Sequence, residues 1–175
     1  MHCLFFDVLP RPGHMPHYFE HVERLRPVLA GHEGLIYLER FTPLDAPEAL
    51  LSHQIWRDET AIRAWRADPA HRVSQAAGRR VHFERYRIRV GPEVGEAASG
   101  EGRFVVAGHS AAPLPGGRGH ESVTRPGRFL TLGEAGTAED ARALAHGFDA
   151  GGAEEVRVFA ITRDYGMTDR AEAPV

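Results

Sequence analysis

The stretch ETAIRAWRADPAHRVSQAAGR, residues Glu59–Arg79, predicts two short helices separated by an Asp-Pro pair. Ile62 and Trp65 lie three residues apart, which places both side chains on one face of the first helix. Asp68–Pro69 ends that helix and suits the start of a second, because proline fits the first helical turn. The break puts Trp65 six residues before His71. Either the two residues line a binding site together, or Trp65 packs in the core while His71 faces solvent.

Regular elements are predicted on both sides of this stretch. Apolar runs bounded by turn residues indicate strands, and helical spacing of apolar residues indicates one more helix. The order is β-α-β-β-α-α-β, and its second and third strands suit a hairpin. The predicted strands are His2–Leu9, Gly34–Phe41, Ala49–Trp56 and Val81–Val90, and the predicted helices are Met15–Leu29, Glu59–Ala67 and Pro69–Ala77.

A second half is predicted after a linker. Residues 91–102 are rich in glycine, alanine and glutamate, which is typical of a linker. Beyond it we expect a strand, a hairpin around Arg125–Gly127, a helix capped by Thr137, a closing strand and an extended polar tail. We therefore divide the chain into residues 1–90, the linker 91–102, and residues 103–175.

The second half resembles a degenerate copy of the first. The segment beginning LERFTPLDAPEALL aligns with HESVTRPGRFLTLG with few gaps, and RVHFERYRIRVG aligns with EEVRVFAITRDYG. The copy lacks counterparts of the first helix and of the helix over Pro69–Ala77, and it has no tryptophan. Such self-similarity predicts a tandem repeat of one folding unit.

Composition excludes several classes of function. The formal net charge of −3 gives no basic field for nucleic acid, and no apolar run is long enough to span a membrane. The start of the chain has no signal-peptide pattern, so we expect a cytoplasmic protein. All basic side chains other than histidine are arginine, which rules out a lysine Schiff base. The single Cys3 has no disulfide partner within the chain.

Residues 1–90 resemble the antibiotic biosynthesis monooxygenase family. The resemblance rests on LPRPG after the first strand, on LSHQIWRDETAIRAWRADPAHRVSQAAGR, and on HFERYRIRV at the end of the unit. The ending TRDYGMTDRAEAP is similar to the tail of bacterial members. The resemblance implies an α+β fold: ferredoxin-like halves of a dimeric α+β barrel, here two in one chain. One face of each sheet needs a partner, so the barrel closes either within the chain or in a homodimer.

The resemblance also implies catalytic residues of a quinone-forming, cofactor-independent oxygenase. Trp65 matches a tryptophan of the active members, and His71 stands where they have a tyrosine. A histidine there can exchange a proton with a phenolic oxygen. The family's basic residue on the last strand corresponds to Arg85 or Arg87, and we take Arg85. Ala61 stands where the family has an asparagine, which departs from the pattern.

Four further residues are predicted to bind the substrate. Phe6 lies on the first strand beside the expected pocket, and Ile62 shares the inner helix face with Trp65. His53 and Trp56 lie on the third strand on opposite faces, and alternation alone does not decide which face lines the pocket. For His53 the alternative is a hydrogen-bonded core histidine.

The sequence offers two candidate sites for a metal, one for heme iron and one formed by histidines of the first helix. Heme-degrading relatives have an axial histidine where this chain has Ser74 and Gln75, and an asparagine where it has Phe6. We therefore predict no cofactor, with heme binding through His71 as a remaining alternative. His14, His17 and His21 have a spacing that suits a metal, but they flank the buried helix face, and we predict a solvated face and no metal site.

The predicted function is oxidation of a small anthrone- or quinol-like aromatic by molecular oxygen. The expected partners are that substrate and oxygen, without nucleic acid or membrane. The alternatives are a non-catalytic barrel that binds a small molecule, and a relative that binds or degrades heme.

Overall fold

The computed structural model describes residues 1–95 and 97–174. The first half has the predicted order of strands and helices. The elements are β1 (His2–Pro10), α1 (Met15–Ala30), β2 (Leu35–Pro43), β3 (Leu50–Trp56), α2 (Glu59–Ala67), α3 (Pro69–Ala77) and β4 (Phe83–Pro92), with a π-helical turn over Gly78–His82.

The second half has four strands, one helix and an extended tail. Its elements are β5 (Glu101–Ser110), β6 (Arg118–Ser122), β7 (Phe129–Thr137), α4 (Ala138–Ala150), β8 (Glu155–Ala160) and β9 (Arg163–Gly166). Residues 111–117, between β5 and β6, form no helix, and α4 is the one helix between β7 and β8. This half therefore has one helix where the first half has three, and the origin of the difference in a duplication stays a prediction.

All nine strands form one antiparallel sheet in the order β8-β5-β7-β6-β2-β3-β1-β4-β9. We call the strands of the first half the first sheet, and those of the second half, without β9, the second sheet. The first sheet has the order β4-β1-β3-β2, which is that of a ferredoxin-like unit. The second sheet repeats this order as β8-β5-β7-β6. The chain therefore has the predicted α+β fold of two ferredoxin-like halves.

Hydrogen bonds join the two sheets at both edges. On one side β2 pairs with β6, with Phe41 opposite Ser122. On the other side Glu93 bridges Phe159, and the Val94 amide donates to the Val158 carbonyl over 2.9 Å. The sheet thus curls so that the two halves enclose a common core.

Side chains from both halves fill the space between the sheets. These buried residues are Cys3, Phe5, Phe41, Leu51, Ile55, Val105, Ala107, Leu130, Leu132, Phe159 and Ile161. The opposite face of the first sheet is covered by α1, α2 and α3. On β3, Leu51, His53 and Ile55 point between the sheets, while Ser52, Gln54 and Trp56 point toward the helices, as strand alternation requires.

The boundary between the halves lies close to the predicted linker. Gly91 and Pro92 extend β4, and Glu101 and Gly102 begin β5. Glu96, within the predicted linker, and Val175, at the end of the predicted tail, lie outside the described residues. The extended tail forms β9, which pairs with β4, so Arg163–Gly166 joins the first sheet although it follows the second half. No helix in the described part of the chain combines the length and apolar character needed to cross a membrane.

Candidate active site between the helices and the first sheet

A cavity of about 370 Å³ lies between the helices and the outer face of the first sheet. We call it the helix-side cavity. Much of its wall is apolar, including Phe6, Leu25, Leu38 and Trp65, and a set of polar side chains also reaches it. The polar groups are Tyr18, His21, Arg26, Arg40, Ser52, Gln54, His71, Ser74, Gln75 and His82. An apolar pocket with a few converging polar groups is the usual form of a small-molecule site.

A second cavity, of about 120 Å³, lies on the other side of a shared wall. It is bounded by α2, by β4 and by the tail, and arginines line much of it, so we call it the arginine-rimmed cavity. Six residues line both cavities: Phe6, Gln54, Trp65, His71, Gln75 and Phe83. Trp65 and His71 therefore separate the two spaces.

Asp68 creates the chain reversal that brings His71 onto Trp65. Its carboxylate accepts hydrogen bonds from the amides of Ala70 and His71, at 2.9 and 3.1 Å, and so caps α3. Pro69 fits the first turn of that helix. The two rings stack with their centroids 3.9 Å apart and their planes 14° apart.

The histidine ring is held in one orientation by its backbone partner. Nδ1 of His71 lies 2.9 Å from the Trp65 carbonyl oxygen, which can only accept, so Nδ1 carries the proton. The Gln75 amide nitrogen is 3.1 Å from the same Nδ1, but it has its own acceptor in the Arg66 carbonyl at 3.0 Å. Neutral His71 therefore has its lone pair on Nε2, for which the described residues supply no hydrogen-bond partner.

Burial controls the charge of His71. Loss of solvent lowers its pKa to about 4, and the bond to the Trp65 carbonyl opposes this shift only in part. The ring is consequently neutral at pH 7. It can accept a proton at Nε2 but does not hold one there in the resting protein.

His32 supports Trp65 from a second side. Its Nε2 lies 3.1 Å from an Asp68 carboxylate oxygen, and its ring meets the edge of Trp65 at 5.0 Å between centroids. Asp68 thus orients both imidazoles that contact the tryptophan. Its pKa is lowered chiefly by the His71 amide and then by His32.

Strands β2 and β3 supply a second set of polar side chains to the helix-side cavity. Arg40, on β2, donates from Nε to the Tyr18 hydroxyl at 3.2 Å. On β3, the Trp56 indole donates to Gln54 at 2.9 Å, and the Gln54 amide donates to Ser52 at 3.1 Å. This chain fixes the Gln54 side chain in the shared wall, and Trp56 itself is fully buried behind it.

Arg85 does not reach either cavity, which corrects its predicted catalytic role. It is exposed, and the β4 side chains that face the helices are Tyr86 and Ile88. A β-bulge explains the error, because Leu9 pairs with Arg85 while Pro10 pairs with Phe83. The extra residue lets Phe83 share a face with Tyr86.

Two arginines line the helix-side cavity, Arg26 and Arg40, and Arg26 is already paired with Glu23. The prediction missed Arg40, although alternation along YLERF places it on the same face as Leu38. The alternative basic residue, Arg87, is exposed and pairs with Asp164 and Glu134.

The other predicted binding residues divide between the cavity and the core. Phe6 lines both cavities and Ile62 lines the arginine-rimmed one. His53 lies outside both cavities, which corrects its predicted place in the pocket, because it belongs to the β3 face that points between the sheets. Its ring stacks between Phe5 and His109, at centroid distances of 4.7 and 5.6 Å. Trp56 likewise lines neither cavity, and it acts on the site only through Gln54.

The histidines of α1 are only partly solvated. His17 is exposed, as predicted, but His21 lines the helix-side cavity and its Nδ1 lies 2.9 Å from the Ser74 hydroxyl. His82 stands among them, with its Nδ1 3.0 Å from that of His14. In residues 1–95 and 97–174, no three His, Cys, Asp or Glu side chains are arranged to hold a metal ion.

Part of the first half of the chain matches a known family. Residues 1–77 match the family model of the antibiotic biosynthesis monooxygenases. Over 101 residues the chain is 34% identical to the jasmonate monooxygenase ABM of Pyricularia oryzae, and this stretch covers 58% of the chain and 47% of that protein. The chain thus spans about half the length of this relative.

Solved structures also resemble the chain, at low identity. A protein described as a monooxygenase from Lactobacillus acidophilus NCFM covers 95% of this chain and 94% of its own, with 8% identity and a TM-score of 0.49. One described as an antibiotic biosynthesis monooxygenase from Deinococcus radiodurans covers 55% and 95%, with 17% identity and a TM-score of 0.48. The sequence similarity thus relates the first half of the chain to the antibiotic biosynthesis monooxygenases, whose family model matches residues 1–77.

Proposed function

We propose that this protein is a cofactor-independent monooxygenase that oxidises a small anthrone- or quinol-like aromatic with molecular oxygen. The family match of residues 1–77 supports the reaction class, and the relative that is 34% identical is named as a monooxygenase. The helix-side cavity, with its apolar wall and polar groups, suits a flat ring system that carries hydroxyl or carbonyl oxygens.

The observation that carries the proposal is the state of His71. Its Nδ1 proton is bound to the Trp65 carbonyl, its ring is neutral at pH 7, and it lines the helix-side cavity. A neutral imidazole whose Nε2 has no hydrogen-bond partner in the described part of the chain is suited to take a proton from a bound phenol or enol. Stacking on Trp65 keeps the ring from turning away.

The remaining polar groups suit the anion that this proton transfer creates. Arg40 supplies a positive charge, and Ser52 and Gln54 supply short polar groups on the neighbouring strand. Such groups stabilise a negatively charged oxygen more strongly in an apolar cavity than in water. We therefore assign Arg40 the role that the sequence resemblance gave to Arg85.

Electron balance explains why a reaction of this type needs no added reductant. In an anthrone a ring CH₂ becomes C=O, and one O₂ supplies the new carbonyl oxygen and the oxygen of one water. The substrate carbon provides all the electrons that O₂ accepts. The protein's part is to remove the proton, stabilise the electron-rich anion and exclude bulk water.

Oxygen uptake with 1,8-dihydroxyanthrone tests the proposal. His71→Gln should lower kcat about 100-fold or more, because a positioned base typically contributes at least that factor. Trp65→Phe should lower it less, since it shortens the ring against which His71 stacks. The matched control is His146→Gln, an exposed histidine on α4. Rates are corrected for spontaneous oxidation, and a His71→Gln rate equal to wild type would exclude His71 as the base.

The same samples separate the two alternatives. A non-catalytic binding barrel would bind anthraquinone without accelerating oxygen uptake in the wild-type protein. Heme binding is tested by titration with hemin, where a saturable Soret shift lost in His71→Ala would favour it. The family positions for an axial ligand do not support heme, because Ser74 bonds to His21 and Gln75 bonds to the Arg66 carbonyl.

A further inference from the structure

The arginine-rimmed cavity combines an apolar floor with a strongly cationic edge. Leu4, Ile62, Ile88 and Val90 form the floor. Five arginines and a single acid, Glu59, belong to the same lining, and the arginines are Arg63, Arg66, Arg79, Arg163 and Arg170. An apolar space with such an edge is complementary to a molecule that has an apolar body and an anionic end.

Among the described residues, few carboxylates face this positive charge. Glu59 pairs with both Arg163, at 2.9 Å, and Arg63, at 3.5 Å. Within residues 1–95 and 97–174, Arg66, Arg79 and Arg170 have no carboxylate within 4.0 Å. In this described part of the chain, the arginines at the cavity edge thus outnumber the carboxylates that pair with them.

Two of these arginines are held in place by tyrosines. Arg170 donates to the Tyr86 hydroxyl at 2.7 Å, and Arg66 donates to the Tyr165 hydroxyl at 3.0 Å. Arg66 also donates to the Pro174 carbonyl at 2.9 Å. Each guanidinium has five N–H groups, so both keep donors for a ligand while neutral partners fix their direction.

We propose that this cavity binds a carboxylate group of the substrate, and that the protein prefers aromatic carboxylic acids to neutral aromatics of the same shape. The inference rests on the proposed function, because it names the class of substrate for the same site. Trp65 and His71 line both cavities, so a carboxylate held by the arginines lies in a cavity that His71 also borders. Arg66 and Arg170 are the specificity-determining residues.

Binding of an inert product-like probe tests the subsite without turnover. Anthraquinone-2-carboxylate and its neutral carboxamide have nearly the same shape, so their dissociation constants, measured by quenching of tryptophan fluorescence, isolate the charge. The acid should bind at least about tenfold more tightly at low salt, a typical effect of a charge-assisted contact. High salt should reduce that preference.

Variants assign the preference to the rim. Arg66→Gln and Arg170→Gln should each weaken binding of the acid severalfold and leave binding of the carboxamide unchanged. Arg72→Gln is the matched control, because Arg72 is an exposed arginine of α3 that lines neither cavity. Arg170 is exposed in the tail, so its substitution keeps the test informative if Arg66→Gln fails to fold.

Two outcomes overturn the inference: equal affinity for acid and carboxamide, or an equal loss for both probes in the rim variants. The result is separable from that of the proposed function. If the acid and the carboxamide bind equally well, but oxygen uptake still depends on His71, only the carboxylate subsite is refuted. A clear acid preference in a protein that consumes no oxygen would refute only the monooxygenase proposal.

Discussion

At the scale of single residues, Trp65 and His71 behave as one unit. The backbone carbonyl of Trp65 fixes the His71 tautomer, and its indole fixes the plane of the imidazole. His71 is thereby removed from water, which lowers its pKa to about 4. A low pKa makes the imidazole a weaker base, but it keeps Nε2 unprotonated at neutral pH.

The pH dependence of the reaction tests this state directly. A base must be unprotonated to act, so the proposed activity should be lost only as pH falls through the pKa of His71. We expect kcat/KM for a substrate that does not itself titrate there to stay level from pH 7 to 5 and to fall with an apparent pKa of about 4. A stopped-flow oxygen or absorbance assay measures it.

A solvated His71 would give a different profile. Activity would then be half lost near the ordinary histidine pKa of 6.5. Circular dichroism at each pH must accompany the rates, because unfolding in acid would also remove activity. NMR titration of the His71 ring, identified by comparison with His71→Gln, provides the second readout.

Sequence patterns placed some residues of the candidate site correctly but not its cation. Phe6, Ile62, Trp65 and His71 reach the cavities because helix and strand periods set their faces. The prediction of Arg85 was wrong because one bulged residue reverses the parity of β4: Phe83, Tyr86 and Ile88 do not alternate regularly, and the sequence alone does not show where the register shifts. The roles of the predicted residues in catalysis and binding stay predictions.

At the scale of elements, Asp68 is the residue on which the α2–α3 pair depends. It ends α2, caps α3 and bonds to His32, so a single carboxylate couples helix geometry to the rings of the site. The bounds of both helices were predictable, because Asp58, Asp68 and Pro69 are local signals. The β9 strand was predicted only as an extended segment, because a short strand on a sheet edge depends on its distant partner β4.

Replacing Asp68 by alanine should therefore affect the site as well as stability. The change removes the acceptor of two amides and of His32, so we expect a lower melting temperature and a disordered Trp65–His71 stack. Near-ultraviolet circular dichroism of the tryptophans should weaken, and oxygen uptake should fall with it. Asp68→Asn should retain part of both, since its amide oxygen can still cap α3.

Asp58→Ala is the matched control for this prediction. Asp58 caps α2 by accepting from the Ala61 amide at 2.8 Å, but it contacts neither ring of the stack. Both variants should lower the melting temperature, and only Asp68→Ala should change the tryptophan signal. Equal signals from the two variants would mean that Asp68 acts only as a helix cap.

At the scale of the whole molecule, the second half completes a core that the first half cannot bury alone. Polar groups join the halves as well, since Glu39 of β2 is bonded by Arg125 and Ser122 of the second half. Burial would raise the pKa of Glu39, but those bonds and the one from Tyr37 lower it to about 2. The fold class followed from the sequence, whereas tandem duplication and the domain limits stay predictions.

Two histidines meet across this interface without hydrogen-bond partners for several ring nitrogens. His53 of β3 stacks on His109 of β5, and both are buried. Neither ring nitrogen of His53, nor Nδ1 of His109, has a partner among the described residues. Burial lowers the pKa of His109 to about 4 and that of His53 well below its ordinary value, so both are neutral at pH 7.

These two histidines should make the barrel sensitive to acid. In the unfolded chain a histidine binds a proton near pH 6.5, whereas folded His109 does so only near pH 4, so the unfolded state gains protons first and stability falls as pH drops below 6.5. A histidine that is protonated in the unfolded chain and neutral in the folded protein contributes a slope of at most about 1.4 kcal/mol per pH unit.

His53→Phe tests this contribution, because it keeps a stacked ring but cannot bind a proton. Urea unfolding below pH 6.5 should therefore show a smaller slope of stability against pH than in the wild type. The slope is the criterion, because the larger ring also changes packing, and His146→Gln on the exposed face of α4 controls for histidine loss alone. If His53→Phe retains the full slope of the wild type, the acid sensitivity lies in other groups and the neutral stack does not limit stability.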